Sequence, residues 1–252
     1  MLMQERRQKI VELINQLGTI SFSQLKAAFP EVSEMTLRTD LKALDEERRI
    51  VRVHGGAKSV EIVVGTDDFL PRRALRAERE KAQIAQKALH LLRPDMTVYL
   101  DSGSTATLLA RQFPDERFQI VTNSLSCANE LLRLTQARVL VPGGFINRYS
   151  QSFYGIHAVE MVRRINFDLA FLGTTSYAEG SGFSCGMEEE AQLKRAVAAQ
   201  AEQSFVLMDA GKVDLKSAFT FATLDDVDGI ISDDAIPESV ASACRAHGKQ
   251  LL

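Results

Sequence analysis

Apolar residues recur at helical spacing at Ile10, Leu13, Ile14 and Leu17, and Gly18 follows where such a helix would stop. Thr19-Ile20 reads as a short extended piece, and Ser21 then caps a second helix with an inner face of Phe22, Leu25, Ala28 and Phe29. Pro30-Glu31-Val32 breaks that helix. Ser33 is the next N-cap, with Thr36 three residues on, and the third helix turns Met35, Leu37, Leu41 and Leu44 inward. Three helices with a tight turn before the third make a helix-turn-helix. Ile50 to Val53 then reads as a strand, and His54-Gly55-Gly56 as the tip of a hairpin wing.

Beyond residue 58 the pattern loosens. Residues 59–80 hold the β-rich run Glu61-Ile62-Val63-Val64 and then Asp67-Asp68-Phe69-Leu70-Pro71-Arg72-Arg73, mixed in charge and broken by proline, which reads as a linker. Arg72-Arg73 is either a solvated connector or an additional DNA contact. From residue 81 to 252, short apolar runs (Thr97–Asp101, Phe118–Thr122, Arg138–Pro142, Asp168–Gly173, Ser204–Asp209 and Gly229–Asp233) alternate with helical patterns such as Ala106 to Phe113, Leu125 to Leu134 and Glu189 to Gln200. That alternation predicts an α/β body with a mostly parallel sheet covered on both faces.

At 252 residues and 45% apolar content, the chain can bury an ample core, as one large domain or a large one plus a small one. Net charge is -3, divided unevenly: residues 1–60 carry +2 and the rest -5, a sign that suits a DNA-facing head on an acidic body. No apolar run approaches the ~18 residues that cross a bilayer, and the first residues lack the apolar core of a signal peptide, so a cytoplasmic protein without membrane contact is expected. Cys127, Cys185 and Cys244 are odd in number and far apart, so buried free thiols are expected, with neither disulfides nor a CxxC metal site. His90, His157 and His247 show no ligand partners, and no metal or cofactor is implied.

The candidate chemistry falls in two places. In a helix-turn-helix the third helix enters the major groove, which makes Ser33, Glu34, Thr36, Arg38, Thr39 and Lys42 candidates for DNA contact, with Arg38 suited to guanine. Arg52 and His54 on the wing would meet the DNA backbone. Asp40 is unsuited to phosphate and has an internal ion pair as its alternative. In the body, ligands of parallel sheets bind beyond the strand ends. Asp101-Ser102-Gly103-Ser104-Thr105 runs from a strand end into a helix start, where a glycine, hydroxyls and unpaired N–H groups suit a phosphate. An ordinary serine-capped helix start is the plainer reading. Thr122, Asn123, Ser124, Gly143, Gly144, Gly173 and Lys212 converge on the same edge. Glu190 and Lys194 share a helix face, either as an exposed ion pair or pointing into the cleft. Because Asp101, Glu190, Lys194 and Lys212 are acid and base types, an isomerase-like enzyme acting on a sugar phosphate is the alternative function.

Thr36-Leu37-Arg38-Thr39-Asp40-Leu41, Leu44 and Arg52-Val53-His54-Gly55-Gly56-Ala57 resemble the winged helix-turn-helix of the DeoR family of bacterial transcription regulators. Phe69, Arg72, Glu80-Lys81 and Ile84-Ala85 are similar to that family's linker. Asp101 to Thr105, Thr122-Asn123-Ser124, Gly143-Gly144, Tyr154-Gly155, Phe171-Leu172-Gly173, Glu190-Ala191, Lys194, Asp209 and Lys212 are similar to its sensor domain. Three departures stand out: Thr39 replaces a usual second arginine, Arg48 a common glycine, and Pro30-Glu31 lengthens the turn by one residue. The resemblance implies a body like ribose-5-phosphate isomerase, a phosphorylated sugar or related metabolite as effector, a homo-oligomer on operator DNA, and repression relieved by ligand.

Overall fold

The computed structural model describes residues 3–47, 49–53, 55–59 and 70–252. The chain forms two compact units, divided between residues 68 and 69.

The first unit contains α1 (Met3–Leu17), β1 (Thr19–Ser21), α2 (Phe22–Ala28), α3 (Glu34–Glu46), β2 (Val51–Val53) and β3 (Gly56–Lys58). Ser21 and Gln24 form a reciprocal capping box that starts α2, and the Ser33 hydroxyl accepts from Thr36 N at 3.1 Å to start α3. Lys26 Nζ donates to the carbonyls of Pro30 (2.9 Å) and Val32 (2.7 Å), which closes the lengthened turn between the two helices. The three helices bury Ile10, Ile14, Leu25, Leu37, Leu41 and Leu44 against Ile20 and Ala57 of the wing.

Three residues expected in this core lie outside it: Leu17, Ala28 and Met35 are exposed. In α3 the buried positions are Leu37, Asp40, Leu41 and Leu44, a single stripe at 3.6-residue period. At about 100° per residue, position 35 is roughly opposite position 37. Helical phase overrides hydrophobicity here.

The wing is a three-stranded antiparallel sheet in the order β1-β3-β2, since Thr19–Ser21 pairs with the wing hairpin. Gly56 is placed where an added Cβ would sit 2.1 Å from the Ile20 carbonyl oxygen. Gly56→Ala is therefore expected to part β1 from β3 and lower the head's stability by about 2 kcal/mol. Thermal unfolding of the variant measures this, and an unchanged midpoint would contradict the close approach.

The second unit is built on a seven-stranded sheet, all of whose pairings are parallel. Its strands are β4 (Thr97–Leu100), β5 (Gln119–Thr122), β6 (Arg138–Leu140), β9 (Phe167–Gly173), β12 (Ala201–Leu207), β14 (Gly229–Ile231) and β15 (Gln250–Leu251), in the order β15-β14-β12-β9-β4-β5-β6. Alternation along β4 feeds two cores, with Val98 and Leu100 on one face and Tyr99 on the other. Flanking helices are α4 (Leu70–Ala74), α5 (Glu78–Leu89), α6 (Ser104–Gln112), α7 (Leu125–Leu131), α8 (Ile156–Val162), α9 (Glu188–Ala198) and α10 (Glu238–Ala246). Smaller antiparallel pieces sit beside them: the hairpin β7 (Phe145–Asn147) and β8 (Ser152–Tyr154), and a sheet of β10 (Ser176–Ala178), β11 (Gly182–Cys185) and β13 (Phe219–Ala222).

The span expected to be linker contains helix. Residues 60–69 lie outside the described residues, as does the run Glu61 to Val64, whereas α4 and the start of α5 are helical and belong to the second unit. Buried Lys81 on α5 donates from Nζ to the carbonyls of Arg73 and Arg76, holding the end of α4 in place. Burial pulls the Lys81 pKa below its ordinary 10.5, with Asp209 opposing and Arg73 and Arg76 reinforcing the shift.

Candidate functional site

On α3, Glu34, Arg38, Thr39 and Lys42 are exposed on the side away from the core, together with Met35. Thr36 is half-buried, and its hydroxyl lies 2.8 Å from that of Ser33, so these two serve the helix start. Thr39 Oγ1 donates to the Met35 carbonyl at 2.9 Å. The Arg38 guanidinium lies 4.1 Å from the centre of the Phe22 ring and 3.9 Å from Glu34, and Lys42 is 3.8 Å from Glu46. These exposed pairs are worth little in water, so DNA phosphates can replace the carboxylates.

Asp40 takes the internal role. It is buried, and its carboxylate accepts from Arg6 Nε at 2.6 Å and Arg7 Nε at 2.9 Å, tying α1 to α3. On the wing, the backbone N–H of Arg52 donates to Asp45 at 2.9 Å, and its side chain is exposed. His54 lies outside the described residues.

In the second unit the strand-end residues do gather. Asp101, 1% exposed at the end of β4, accepts from Ser102 N at 2.8 Å on Oδ1 and from Gly173 N at 2.8 Å on Oδ2. Lys194, reaching from α9, pairs with the same Oδ2 and donates to the Gly173 carbonyl at 2.9 Å. Burial works against the Lys194 charge, but Asp101, with Cys185 and Glu190, holds its pKa above the ordinary lysine value. An added Cβ at Gly173 would meet the Ser102 carbonyl oxygen at 3.0 Å and Lys194 Nζ at 4.0 Å, so a glycine suits the junction.

Glu190 and Lys194 are both buried, so they are not an exposed ion pair, and each bonds to groups outside the pair. Glu190 Oε1 accepts from Ser150 at 2.9 Å, Asn147 at 3.2 Å and Ser152 at 3.3 Å, which binds α9 to the β7–β8 hairpin. Lys212 donates to the Thr174 carbonyl at 2.7 Å and lies 3.8 Å from Asp209. The four acid and base types considered for proton transfer are thus all engaged by protein groups.

Gly103 is the N-cap of α6 with φ +130, and no side chain caps this helix. Buried Ser104 and Thr105 form its first turn. An added Cβ at Gly103 would meet Arg73 Nη2 at 3.1 Å, so a guanidinium from α4 lies over the loop. Neighbouring Thr122 accepts from Ser124 N at 3.1 Å, and Ser124 caps α7 by accepting from Cys127 N at 3.1 Å. Asn123 donates to the Phe153 carbonyl at 3.3 Å, while its buried Oδ1 has no hydrogen-bond partner among the described residues. Gly143 has open space where a side chain would stand, whereas at Gly144 (φ +139) a Cβ would lie 2.4 Å from the Tyr154 carbonyl oxygen. Gly144 therefore serves the hairpin packing.

Sequence reasoning missed Ser150, Ser152 and Asn147, and it placed Arg73 on the connector or on DNA. Ser150 lies in the hairpin turn and Ser152 opens β8, so no strand period marks them in the sequence. Nothing local in sequence links Arg73 to a loop 30 residues away. Cys127, Cys185 and Cys244 are buried free thiols, and burial raises the Cys127 pKa to about 11. Among the described residues there is no cluster of three or more metal-ligating side chains, and no helix is long and apolar enough to cross a membrane.

Residues 6–63 match the DeoR-like helix-turn-helix domain, and residues 76–234 match the DeoR C terminal sensor domain. The chain is similar to the uncharacterized HTH-type transcriptional regulator YgbI of Escherichia coli (strain K12), 32% identical over 98% of this chain and 96% of the relative. It is 29% identical to the L-fucose operon activator of Haemophilus influenzae (strain ATCC 51907 / DSM 11121 / KW20 / Rd) over 97% and 98% of the two chains. Among solved structures it is similar to ribose 5-phosphate isomerase A from Methanocaldococcus jannaschii, with TM-score 0.38, 19% identity and 53% of each chain covered. With both parts matched in order and relatives aligned from end to end, this chain belongs to the DeoR family of DNA-binding transcription regulators.

Proposed function

We propose that the chain is a repressor whose operator affinity falls when a phosphorylated sugar occupies the strand-end cleft of the second unit. The observation that carries this reading is the start of α6. A glycine in the left-handed region of φ leaves the helix N-terminus without a side-chain cap, beneath the Arg73 guanidinium. Unpaired N–H groups, the positive end of the helix dipole and a guanidinium together suit a phosphate dianion. The buried, unpartnered Asn123 Oδ1 at the adjacent strand end supplies an acceptor for a sugar hydroxyl, and Lys212 adds a cation at the same edge.

The protein acts by binding rather than turnover, as a cytoplasmic homo-oligomer whose paired heads meet half-sites about one helical turn or a multiple apart. The test is operator binding at fixed salt against pentose and hexose phosphates and their unphosphorylated parents. One phosphate ester is expected to weaken binding about 5- to 150-fold, with its parent sugar inert. Replacing Ser104 and Thr105 together with valine is expected to keep wild-type operator affinity and abolish that response. A normal response in the double variant would remove the loop from the effector site.

A further inference from the structure

We propose that Met35 is a base-reading residue that packs its thioether side chain on the 5-methyl group of a thymine in the major groove. The inference rests on α3 being the helix that enters the groove. Met35 is 75% exposed, the more telling because it stands in the first turn of that helix, where side chains reach base edges. Positions 35, 38, 39 and 42 follow the spacing i, i+3, i+4, i+7, so Met35 shares one face with exposed Arg38, Thr39 and Lys42. A single exposed apolar side chain is ordinary on a protein surface. A large one at the head of a face whose other members are two cations and a threonine is placed for a partner that is anionic at its edges and apolar at one point.

The polar groups around Met35 are already engaged. The Thr39 hydroxyl donates back to the Met35 carbonyl, the Ser33 and Thr36 hydroxyls bond each other, and the Arg38 guanidinium leans over Phe22. Beside Met35 the exposed Glu34 carboxylate lies 3.9 Å from Arg38, which leaves Met35 as the apolar point on this face. On the major-groove edge of B-DNA the thymine methyl is the apolar feature that distinguishes one base pair from the others. Methionine, unbranched and polarisable, adapts its side chain to such a contact without a fixed rotamer.

The test uses the full-length protein and duplexes that it selects from a random-sequence pool. The best duplex is remade with deoxyuridine in place of each thymine in turn, which removes one methyl group and no hydrogen bond. For the wild type, one such change per half-site is expected to raise Kd about four-fold, the worth of one buried methyl-sized group. Met35→Ala is expected to bind the thymine and uracil duplexes equally well, and Met35→Leu to keep the discrimination. Thermal midpoints of both variants should match the wild type, because the side chain leaves no cavity. If every thymine-to-uracil change affects wild type and Met35→Ala alike, the assignment is overturned. Failure of the underlying reading shows itself separately: unchanged affinity in both Arg38→Ala and Lys42→Ala would take α3 out of the groove and Met35 with it.

Discussion

Asp101→Ala is expected to lower the stability of the second unit by about 3–5 kcal/mol, the cost of leaving one partner of a buried ion pair behind. The carboxylate serves three donors at once: Lys194 Nζ and the backbone N–H groups of Ser102 and Gly173. Removing it strands an ammonium that is 7% exposed, with the Gly173 carbonyl as a remaining acceptor. The pH dependence gives the cause away. In the wild type the Lys194 pKa is raised, so its contribution is complete below the unfolded value near 10.5 and is lost only as pH rises beyond it through the folded value. Without Asp101, burial dominates and the folded pKa drops below 10.5, so the variant should regain stability as pH rises towards 10. Up to about pH 10 the wild-type contribution of this group therefore stays flat, whereas that of the variant rises with pH. Asp101→Ala combined with Lys194→Met, which removes both charges, should recover at least half of the loss. Denaturant unfolding of the three proteins between pH 6 and about 10 tests this, and a loss below about 1 kcal/mol would show that the pair is not the clamp its geometry indicates.

That clamp also marks the limit of what sequence can carry. The five central strands are legible because each is an apolar run flanked by turn residues, buried on both faces as parallel strands are, and the edge strand β6 is legible as an apolar run although Arg138 and Leu140 are exposed. The seventh, Gln250–Leu251, has only two residues and owes its existence to pairing with β14. The β7–β8 hairpin hides for a related reason: its residues Phe145 and Ile146 are exposed, so no burial pattern announces it. Helix caps at Ser21 and Ser33 are local events and were readable locally. Met35 and Ala28 were not, because hydrophobicity was weighed without the phase that Leu37, Leu41 and Leu44 impose on α3 and Leu25 imposes on α2. At the site, Asp101 and Lys194 each stand out as strand-end or helix-face residues. Their pairing across 93 positions, and the approach of Arg73 to Gly103, are decided by how β4, β9, α4 and α9 pack.

Asp40→Ala is the counterpart in the head, expected to cost about 2–3 kcal/mol and to weaken operator binding at least ten-fold. Asp40 is 2% exposed and holds two arginines of α1, one on each oxygen. Those arginines are about one-sixth exposed, so after truncation their guanidiniums can turn towards water, which makes the loss smaller than at Asp101. Binding suffers because the pair fixes α3 against α1 from behind the face that carries Arg38 and Lys42. A helix free to tilt loses register with the groove, and contacts that depend on a shared orientation fail together. Asp40→Asn separates charge from shape: one amide oxygen still accepts from one guanidinium while the amide NH2 faces the other, so most of the loss should persist. The contrast is Glu34→Gln, which breaks an exposed 3.9 Å contact on the same helix and should leave stability unchanged. Because the Asp40 pair is sheltered, its contribution should survive 0.5 M salt, whereas phosphate contacts made by Lys42 should weaken steeply over the same range. If Asp40→Asn instead unfolds and binds DNA like the wild type, α3 is held by its leucines alone, and the ion pair is an ornament of the interface between α1 and α3.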